Sequence, residues 1–270
     1  MSTDETRSQD PFTFPFNYFK FLSDEEKQLL NCLYREISEI VKDVIGHGIN
    51  HHLATSRYAY TLSLADGKGR HNFLAALCGI IHDLRWWDDK ERKARKLKID
   101  KIEGVPSPVD ILDGLLEQKI ITADERSTCA LVISAHSDLP TEQAPALLKY
   151  LRGGDRLSRF GVEGLKLLFE LNYHYHLSGN NTPFYIEGGK ISWNRDDGII
   201  PNSEIKSCVD DVRACLSWIL IAETPAETVL MNQLEEPLVE FLRVFHWHQI
   251  NSYEFWLEKI DNEIFIQMLT

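Results

Sequence analysis

Apolar residues recur at intervals of three and four along most of the chain, the spacing of an amphipathic helix. The first such run follows Ser23 and Glu26, whose separation is typical of a capping box, and it predicts a helix ending near Gly46. Similar patterns predict helices over residues 51–65, 71–84, from Ser107-Pro108 onward, from Thr122 to His136, and over 144–160, 162–176 and 203–270. Residues 71–84 are apolar on almost every side, which is typical of a central helix.

Two segments depart from the helical pattern. Residues 11–21 are rich in Phe and Pro and are expected to form part of an extended N-terminal arm, residues 1–23. Residues 183–193 alternate around Glu-Gly-Gly-Lys and predict a small β-hairpin. The predicted fold is all-α: a helical domain over 24–178, and then a hairpin and a C-terminal helical extension, 179–270, packed on the same domain.

Composition narrows the classes of function. The net charge of −12 disfavours nucleic acid as a partner. No apolar stretch reaches the roughly 20 residues needed to cross a bilayer, and the polar start lacks the features of a secretory signal. Five scattered cysteines without a CxxC pair indicate a reducing compartment. We therefore expect a cytoplasmic protein that acts on a small molecule, without nucleic-acid or membrane partners.

The doublet His82-Asp83 ends the most apolar predicted helix, where an ionised carboxylate is costly unless it is paired or binds a metal. Upstream, His51 opens a helix, and downstream Asp155 stands in the polar interruption LRGGDRLSRFGVEG. Two imidazoles and two carboxylates suit Mn, Fe, Co, Ni or Zn and leave coordination positions for water and substrate. These residues are therefore candidate ligands of a divalent ion.

The order of these residues resembles the HD superfamily of metal-dependent phosphohydrolases, in which a His is followed by a His-Asp doublet and a distant Asp. AALCGIIHDLRWW is similar to the family's doublet helix, and GGDRLSRFGVEG to its aspartate segment, although Gly154 stands where Ala is common. In NHHLATSRYAYTLS the ligand position falls on His51 rather than His52, because Ala59 then occupies a position that is small in the family. The resemblance covers about residues 45–165.

The resemblance implies an HD-domain-like helical bundle and hydrolysis of a phosphate ester or anhydride of a small molecule, with nucleotides as the expected substrates. The metal would be held by His51, His82, Asp83 and Asp155, and it could be Mn, Fe, Co, Ni, Zn or Mg. Asp83 and His136 are the candidate catalytic residues. His136 would donate a proton or contact phosphate, or else be a satisfied helix-end histidine. Members with two metals use two additional histidines, and His136 is the only one here, so we expect one ion.

Several alternatives remain open at this stage. Arg156 and Arg159 could clamp the substrate phosphate or form salt bridges to helix neighbours. The basic run at 90–101 could be a lid or a solvated helix face. A diiron oxygenase or lyase, or a non-catalytic binding or regulatory module stapled by metal, could use the same scaffold. P-loop, Rossmann and serine-hydrolase motifs do not occur in the sequence.

Overall fold

The computed structural model describes residues 16–41, 48–84, 106–137, 144–177 and 182–261. This part of the chain contains no β-strand, and its α-helices are α1 Asp24–Val41, α2 Ile49–Ala65, α3 Arg70–Ile81, α4 Pro108–Glu117, α5 Ala123–Ala135, α6 Ala146–Leu157, α7 Gly161–Tyr175, α8 Cys208–Ser217, α9 Pro225–Leu234, α10 Glu236–His248 and α11 Tyr253–Asp261. The predicted helical bundle is confirmed. None of the described helices combines the length and apolarity needed to span a bilayer. Residues 1–15 of the predicted arm and the basic run at 90–101 lie outside the described residues.

The capping residues identified in the sequence lie at the helix starts that they predict. At the start of α5 the Thr122 hydroxyl accepts from the backbone N–H of Glu125, whose carboxylate accepts from the N–H of Thr122. Ser107 and Asp110 form the same reciprocal pair at the start of α4, with Pro108 in the first turn. These bonds satisfy backbone donors that have no partner inside the helix, so they fix where each helix starts.

The β-hairpin predicted around Glu-Gly-Gly-Lys is wrong, because the described chain there forms a turn without strands. Gly189 N–H donates to the Ile186 carbonyl over 2.8 Å, and Gly188 is the central residue with a positive φ, +78°. A turn with a positive φ only at its third position is of type II, which splays the two arms apart. The amide of Asn251 bonds to both the N–H and the carbonyl of Tyr185, the groups that a neighbouring strand would have used.

The buried apolar side chains form two clusters. The first lies among α1 to α6 and includes Phe19, which precedes α1 and is fully buried. The second lies among α7, α8, α10 and α11, with Trp256 fully buried in it. Ile219 and Met231, although late in the chain, belong to the first cluster. The C-terminal helices therefore have a core of their own and also contact the core of the N-terminal helices.

Helix α2 is packed closely between α3 and α6 at two glycines. A Cβ added to Gly79 of α3 would lie 2.5 Å from the Ser56 Cα, and one added to Gly154 of α6 would lie 2.6 Å from the Thr55 carbonyl oxygen and 2.8 Å from the Ala59 nitrogen. Only residues without a side chain allow backbones to approach this closely. The glycine at 154, where the resembling family often has Ala, is therefore required by the α2–α6 distance in this protein.

Candidate metal centre

The structure brings together the four side chains predicted as metal ligands. His51 Nε2 lies 3.2 Å from His82 Nε2, 3.4 Å from an Asp83 carboxylate oxygen and 3.4 Å from an Asp155 carboxylate oxygen. His82 Nε2 lies 3.3 Å from the same Asp83 oxygen and 4.0 Å from the Asp155 oxygen. These donors come from three separate stretches of sequence, and His51, His82 and Asp155 are spaced so that they could hold a metal ion.

Helix ends place these side chains. His51 lies in the first turn of α2, His82 caps the C-terminus of α3 with Asp83 in the turn that follows, and Asp155 lies in the last turn of α6. The two histidine side chains are fully buried and Asp83 nearly so, whereas the Asp155 side chain retains 31% exposure. Among the four ligands, Asp155 thus marks the side from which water or a substrate could reach the donors.

Hydrogen bonds fix the tautomers of both imidazoles. His82 Nδ1 lies 2.8 Å from the Gly79 carbonyl, which can only accept, so Nδ1 carries a proton and Nε2 is the nitrogen available to a metal ion. His51 Nδ1 lies 3.0 Å from the Ser158 hydroxyl, whose own proton is donated to the Asp155 carbonyl at 2.6 Å. The hydroxyl must therefore accept from His51 Nδ1, and His51 Nε2 is likewise the nitrogen available to a metal ion.

Two imidazole Nε2 atoms 3.2 Å apart beside two carboxylates form a buried cluster whose negative charge needs positive charge among its members, from protons or from a bound cation. Buried carbonyl and hydroxyl acceptors behind metal-ligating histidines are the usual arrangement for presenting Nε2 to an ion. Burial alone raises the pKa of Asp155, but the positive charge near His51 and His82 outweighs it, and the net pKa is lowered. The donor set consequently fits a divalent cation.

His136, at the C-terminal end of α5, lies against the Asp83 oxygen that does not face His51 and His82. Its Nε2 is 3.2 Å from this oxygen, and its Nδ1 is 2.6 Å from the Ile133 carbonyl. Burial lowers the pKa of His136, but the hydrogen bond and charge of Asp83 raise it further, to about 9. Without a metal, His136 is therefore a protonated imidazole that donates from both nitrogens.

A second, overlapping group of possible ligands consists of His82, Asp83 and His136. It shares His82 Nε2 with the first group, and one imidazole lone pair binds one ion. The two groups are therefore alternative positions for a cation rather than two sites that are filled together. Among the described residues, the second group without His82 retains only two donors.

The two candidate substrate-binding arginines have different surroundings. Arg156 Nε donates to Glu227 over 2.7 Å, and a terminal nitrogen donates to Glu223 over 3.2 Å, so this guanidinium faces the first turn of α9 and the segment just before it. Arg152, one turn earlier, also bonds to Glu223. These are the contacts of the salt-bridge alternative, and a substrate role for Arg156 stays a prediction.

Arg159 is only 7% exposed, and its side chain makes no hydrogen bond or salt bridge to the described residues. Its Nη1 atom is buried without a hydrogen-bond partner there. Its charge helps to lower the pKa of Asp155 after the larger influences of burial and the histidines. Of the two predicted arginines, Arg159 is the one whose side chain has a buried nitrogen without a hydrogen-bond partner among the described residues.

The sequence analysis did not identify the residues that hold the candidate ligands and helix α2 in place through hydrogen bonds. Ser158, which orients His51, carries no motif signal of its own, although its position three residues after Asp155 allows the observed bond to the Asp155 carbonyl. His52, the neighbour set aside in favour of His51, bonds through Nδ1 to the Ile80 carbonyl and joins α2 to α3. It belongs to neither group of possible metal ligands.

Comparisons with known proteins bear on the fold alone. No protein-family model matches the sequence, and no curated protein matches it. Among solved structures, the chain is similar to the crystal structure of a Lactobacillus plantarum protein solved as a structural genomics target, with a TM-score of 0.57 and 14% sequence identity over 85% of this chain and 99% of that one. That coverage exceeds what residues 24–178 could supply, so the shared fold extends into the C-terminal helices.

Proposed function

We propose that this protein is a metal-dependent phosphohydrolase that cleaves a phosphate ester or anhydride of a small molecule, with nucleotides as the expected substrates. The observation that carries the proposal is the convergence of the Nε2 atoms of His51 and His82 with two carboxylates. A divalent ion held by His51, His82, Asp83 and Asp155 would lower the pKa of a bound water toward neutrality and polarise a phosphoryl oxygen.

The remaining groups supply the other requirements of water attack on phosphorus. Arg159 offers a positive charge for the phosphoryl oxygens, in a buried setting where that charge is poorly screened. His136 carries a proton that can pass to the leaving oxygen as the phosphorus–oxygen bond breaks. The proton released by the attacking water then restores His136. Asp83, with one oxygen toward the ligand histidines and the other toward His136, orients that imidazole.

The test combines metal analysis with turnover. The protein is loaded separately with Mn, Co, Ni, Mg or Zn and screened on nucleotides and generic phosphate esters. Asp83→Ala should lose both bound metal and turnover. Asp113→Ala, which removes an exposed carboxylate paired with Arg126, should keep both. Retention of metal by Asp83→Ala would overturn the ligand assignment.

The same measurements separate the alternatives. A diiron oxygenase or lyase would bind two ions per chain and consume oxygen or cleave a non-phosphate substrate. A metal-stapled regulatory module would gain melting temperature from the ion and cleave no phosphoester. Either result, with the site otherwise intact, would replace the hydrolase proposal.

A further inference from the structure

The C-terminal end of α5 is held by an arginine from α6. Arg152 Nη2 donates over 3.1 Å to the carbonyl oxygen of Ala135, the last residue of α5. The last carbonyl groups of a helix have no partner inside it, and a cation placed there also interacts favourably with the helix dipole. Only 3% of the Arg152 side chain is exposed, so this bond lies inside the protein. It ties the end of α5 to the helix that carries Asp155.

This bond acts on His136 through a rigid peptide group. The Ala135 carbonyl and the backbone N and Cα of His136 belong to one planar unit, so a restraint on the oxygen also restrains the point from which the imidazole extends. The imidazole is oriented within α5 by its Nδ1, which lies 2.6 Å from the Ile133 carbonyl, and its Nε2 lies 3.2 Å from an Asp83 oxygen. The bond to Ile133 moves with α5. The bond from Arg152 instead fixes the imidazole relative to α6.

A buried guanidinium requires a negative partner, and the C-terminal part of the chain supplies it. Arg152 Nη1 donates to one carboxylate oxygen of Glu223 over 3.4 Å, and Arg156 donates to the other over 3.2 Å. Arg156 also donates to Glu227 over 2.7 Å. None of these four side chains is more than 10% exposed. The formal charges of the network balance, and removing one member would leave a buried charge unpaired.

Glu223 is fixed in turn by the start of α9. Its backbone N–H donates to a Glu227 carboxylate oxygen over 2.8 Å, and the N–H of Glu227 donates to the Thr224 hydroxyl over 3.1 Å. Thr224 caps α9, so these bonds satisfy backbone donors at the beginning of that helix. The position of Glu223, and of the arginine that it holds, therefore follows the position of α9.

We propose that Arg152 and Glu223 are positioning residues that hold His136 in place for catalysis. The C-terminal helices thereby take part in the reaction through the start of α9. This inference rests on the proposed function, in which His136 protonates the leaving oxygen. Arg152 acts through the Ala135 carbonyl, and Glu223 acts through Arg152. A proton donor works only within hydrogen-bond reach of its acceptor, and a displacement of about 1 Å can cost on the order of a hundredfold in rate.

The experiment compares two substrates of the metal-loaded protein that differ in their leaving group. Phenyl phosphate releases a strongly basic phenolate, which needs the proton of His136, whereas the weakly basic 4-nitrophenolate needs it little. Arg152→Met should lower kcat for phenyl phosphate by roughly ten- to a hundredfold and kcat for 4-nitrophenyl phosphate by less than about threefold. KM should stay near the wild-type value for both, because the phosphate group is the same. His136→Gln should show the same selectivity more strongly.

Arg126→Met is the matched control for the loss of an arginine ion pair. Arg126 lies on α5 near the opposite end from His136, and it pairs with Asp113 over 2.7 Å. This variant should keep the wild-type ratio of kcat for the two substrates. Equal losses on both substrates in Arg152→Met, or no loss on either, would overturn the positioning role.

Two milder variants serve if Arg152→Met does not fold. Arg152→Lys keeps a cation that can still donate to the Ala135 carbonyl, although without the planar fork of a guanidinium, and should retain most of the wild-type ratio. Glu223→Gln leaves the bond from Arg152 to Ala135 in place but removes the charge that balances it, so kcat for phenyl phosphate should fall less than in Arg152→Met, with the same selectivity. Equal losses on both substrates in Glu223→Gln would overturn its role.

A spectroscopic measurement keeps this inference separable from the proposed function. The ring N–H signals of His136 in the full-length protein, recorded by NMR with and without Zn and assigned by their loss in His136→Gln, report its contacts without turnover. Arg152→Met should shift these signals, and Arg126→Met should not. If the wild-type protein cleaves no phosphoester and the signals shift in this pattern, the hydrolase proposal fails and the positioning of His136 stands. If phosphoesters are cleaved and Arg152→Met changes neither the signals nor the ratio, the positioning role alone is overturned.

Discussion

Gly154→Ala tests the close approach of α2 and α6 that positions the metal centre. The new Cβ would lie 2.6 Å from the Thr55 carbonyl oxygen, 2.8 Å from the Ala59 nitrogen and 2.9 Å from the Ala59 Cβ. Two of these atoms belong to the backbone, so no side-chain rotation can relieve the contact. Helix α6 must move away from α2, and it carries Asp155 with it.

Two effects of opposite sign determine how much Gly154→Ala changes the free energy of unfolding. Replacing Gly by Ala inside a helix stabilises it by about 1 kcal/mol. Overpacking costs about 1–3 kcal/mol, and contacts with backbone place this site toward the upper end, about 2–3 kcal/mol. The net prediction is a loss of about 1–2 kcal/mol in the free energy of unfolding.

Gly114→Ala provides the matched control. Gly114 lies inside α4, and an added Cβ there would meet nothing within 4 Å. Only the helix-propensity gain applies, so this variant should be more stable than the wild type by about 1 kcal/mol. The propensity gain cancels in the difference between the two variants, which isolates the α2–α6 contact.

Urea denaturation of chelator-treated protein measures this difference without a contribution from bound metal. Titration with Mn²⁺ then shows whether the ion binds more weakly to Gly154→Ala, as a displaced Asp155 requires. If Gly154→Ala gains as much stability as Gly114→Ala and binds Mn²⁺ as the wild type does, the close α2–α6 packing is refuted.

Three further predictions concern stability. Arg156→Met should lower the free energy of unfolding by about 3 kcal/mol in urea denaturation, because removing one member of a buried ion-pair network leaves carboxylates unpaired, and an unchanged value would contradict the network. In metal-free protein the pKa of His136 is raised to about 9, so the stability that protonated His136 contributes is complete below its unfolded pKa of about 6.5 and is lost as pH rises through about 9. Denaturation of the wild type across this pH range should show the loss. A loss of the same size in His136→Gln would contradict the assignment. Gln249→Gly should stabilise the protein by about 0.5–1 kcal/mol, because Gln249 adopts φ +46° after α10, and a lower melting temperature would refute this.

Much of the fold could be predicted because its signals are local. The capping pair of Thr122 and Glu125 satisfies backbone donors within one turn, so it marks the start of α5 wherever the helix packs. The all-round apolar pattern of α3 reflects its central burial. The absence of strands beside the turn at Gly188 could not be predicted, because the backbone of Tyr185 there bonds to Asn251, a residue 66 positions away.

Part of the candidate site could likewise be predicted from the sequence, and part could not. His51, His82, Asp83 and Asp155 could be predicted because a buried His-Asp doublet requires compensation and the sequence order resembles a known pattern. The difference between Arg156 and Arg159 depends on the position of α9, which supplies Glu223 and Glu227 as partners to the first alone.

The contact between Asn172 and Asp211 could not be predicted from the sequence for a different reason. Each is an ordinary polar residue on an otherwise amphipathic helix, and nothing in the local pattern separates a solvated carboxylate from a buried one. Their contact joins α7 to α8 across 39 positions of sequence, so it exists only once both helices are packed.

The central claim, that one divalent cation binds among these four side chains, is tested most directly by counting bound ions per chain. Equilibrium dialysis against Mn²⁺ followed by elemental analysis should give one ion for the wild-type protein and for His246→Gln, an exposed histidine on α10. His82→Gln should bind almost none, because His82 belongs to both possible ligand groups. A wild-type protein that binds no ion, or a His82→Gln variant that keeps one, would contradict the account.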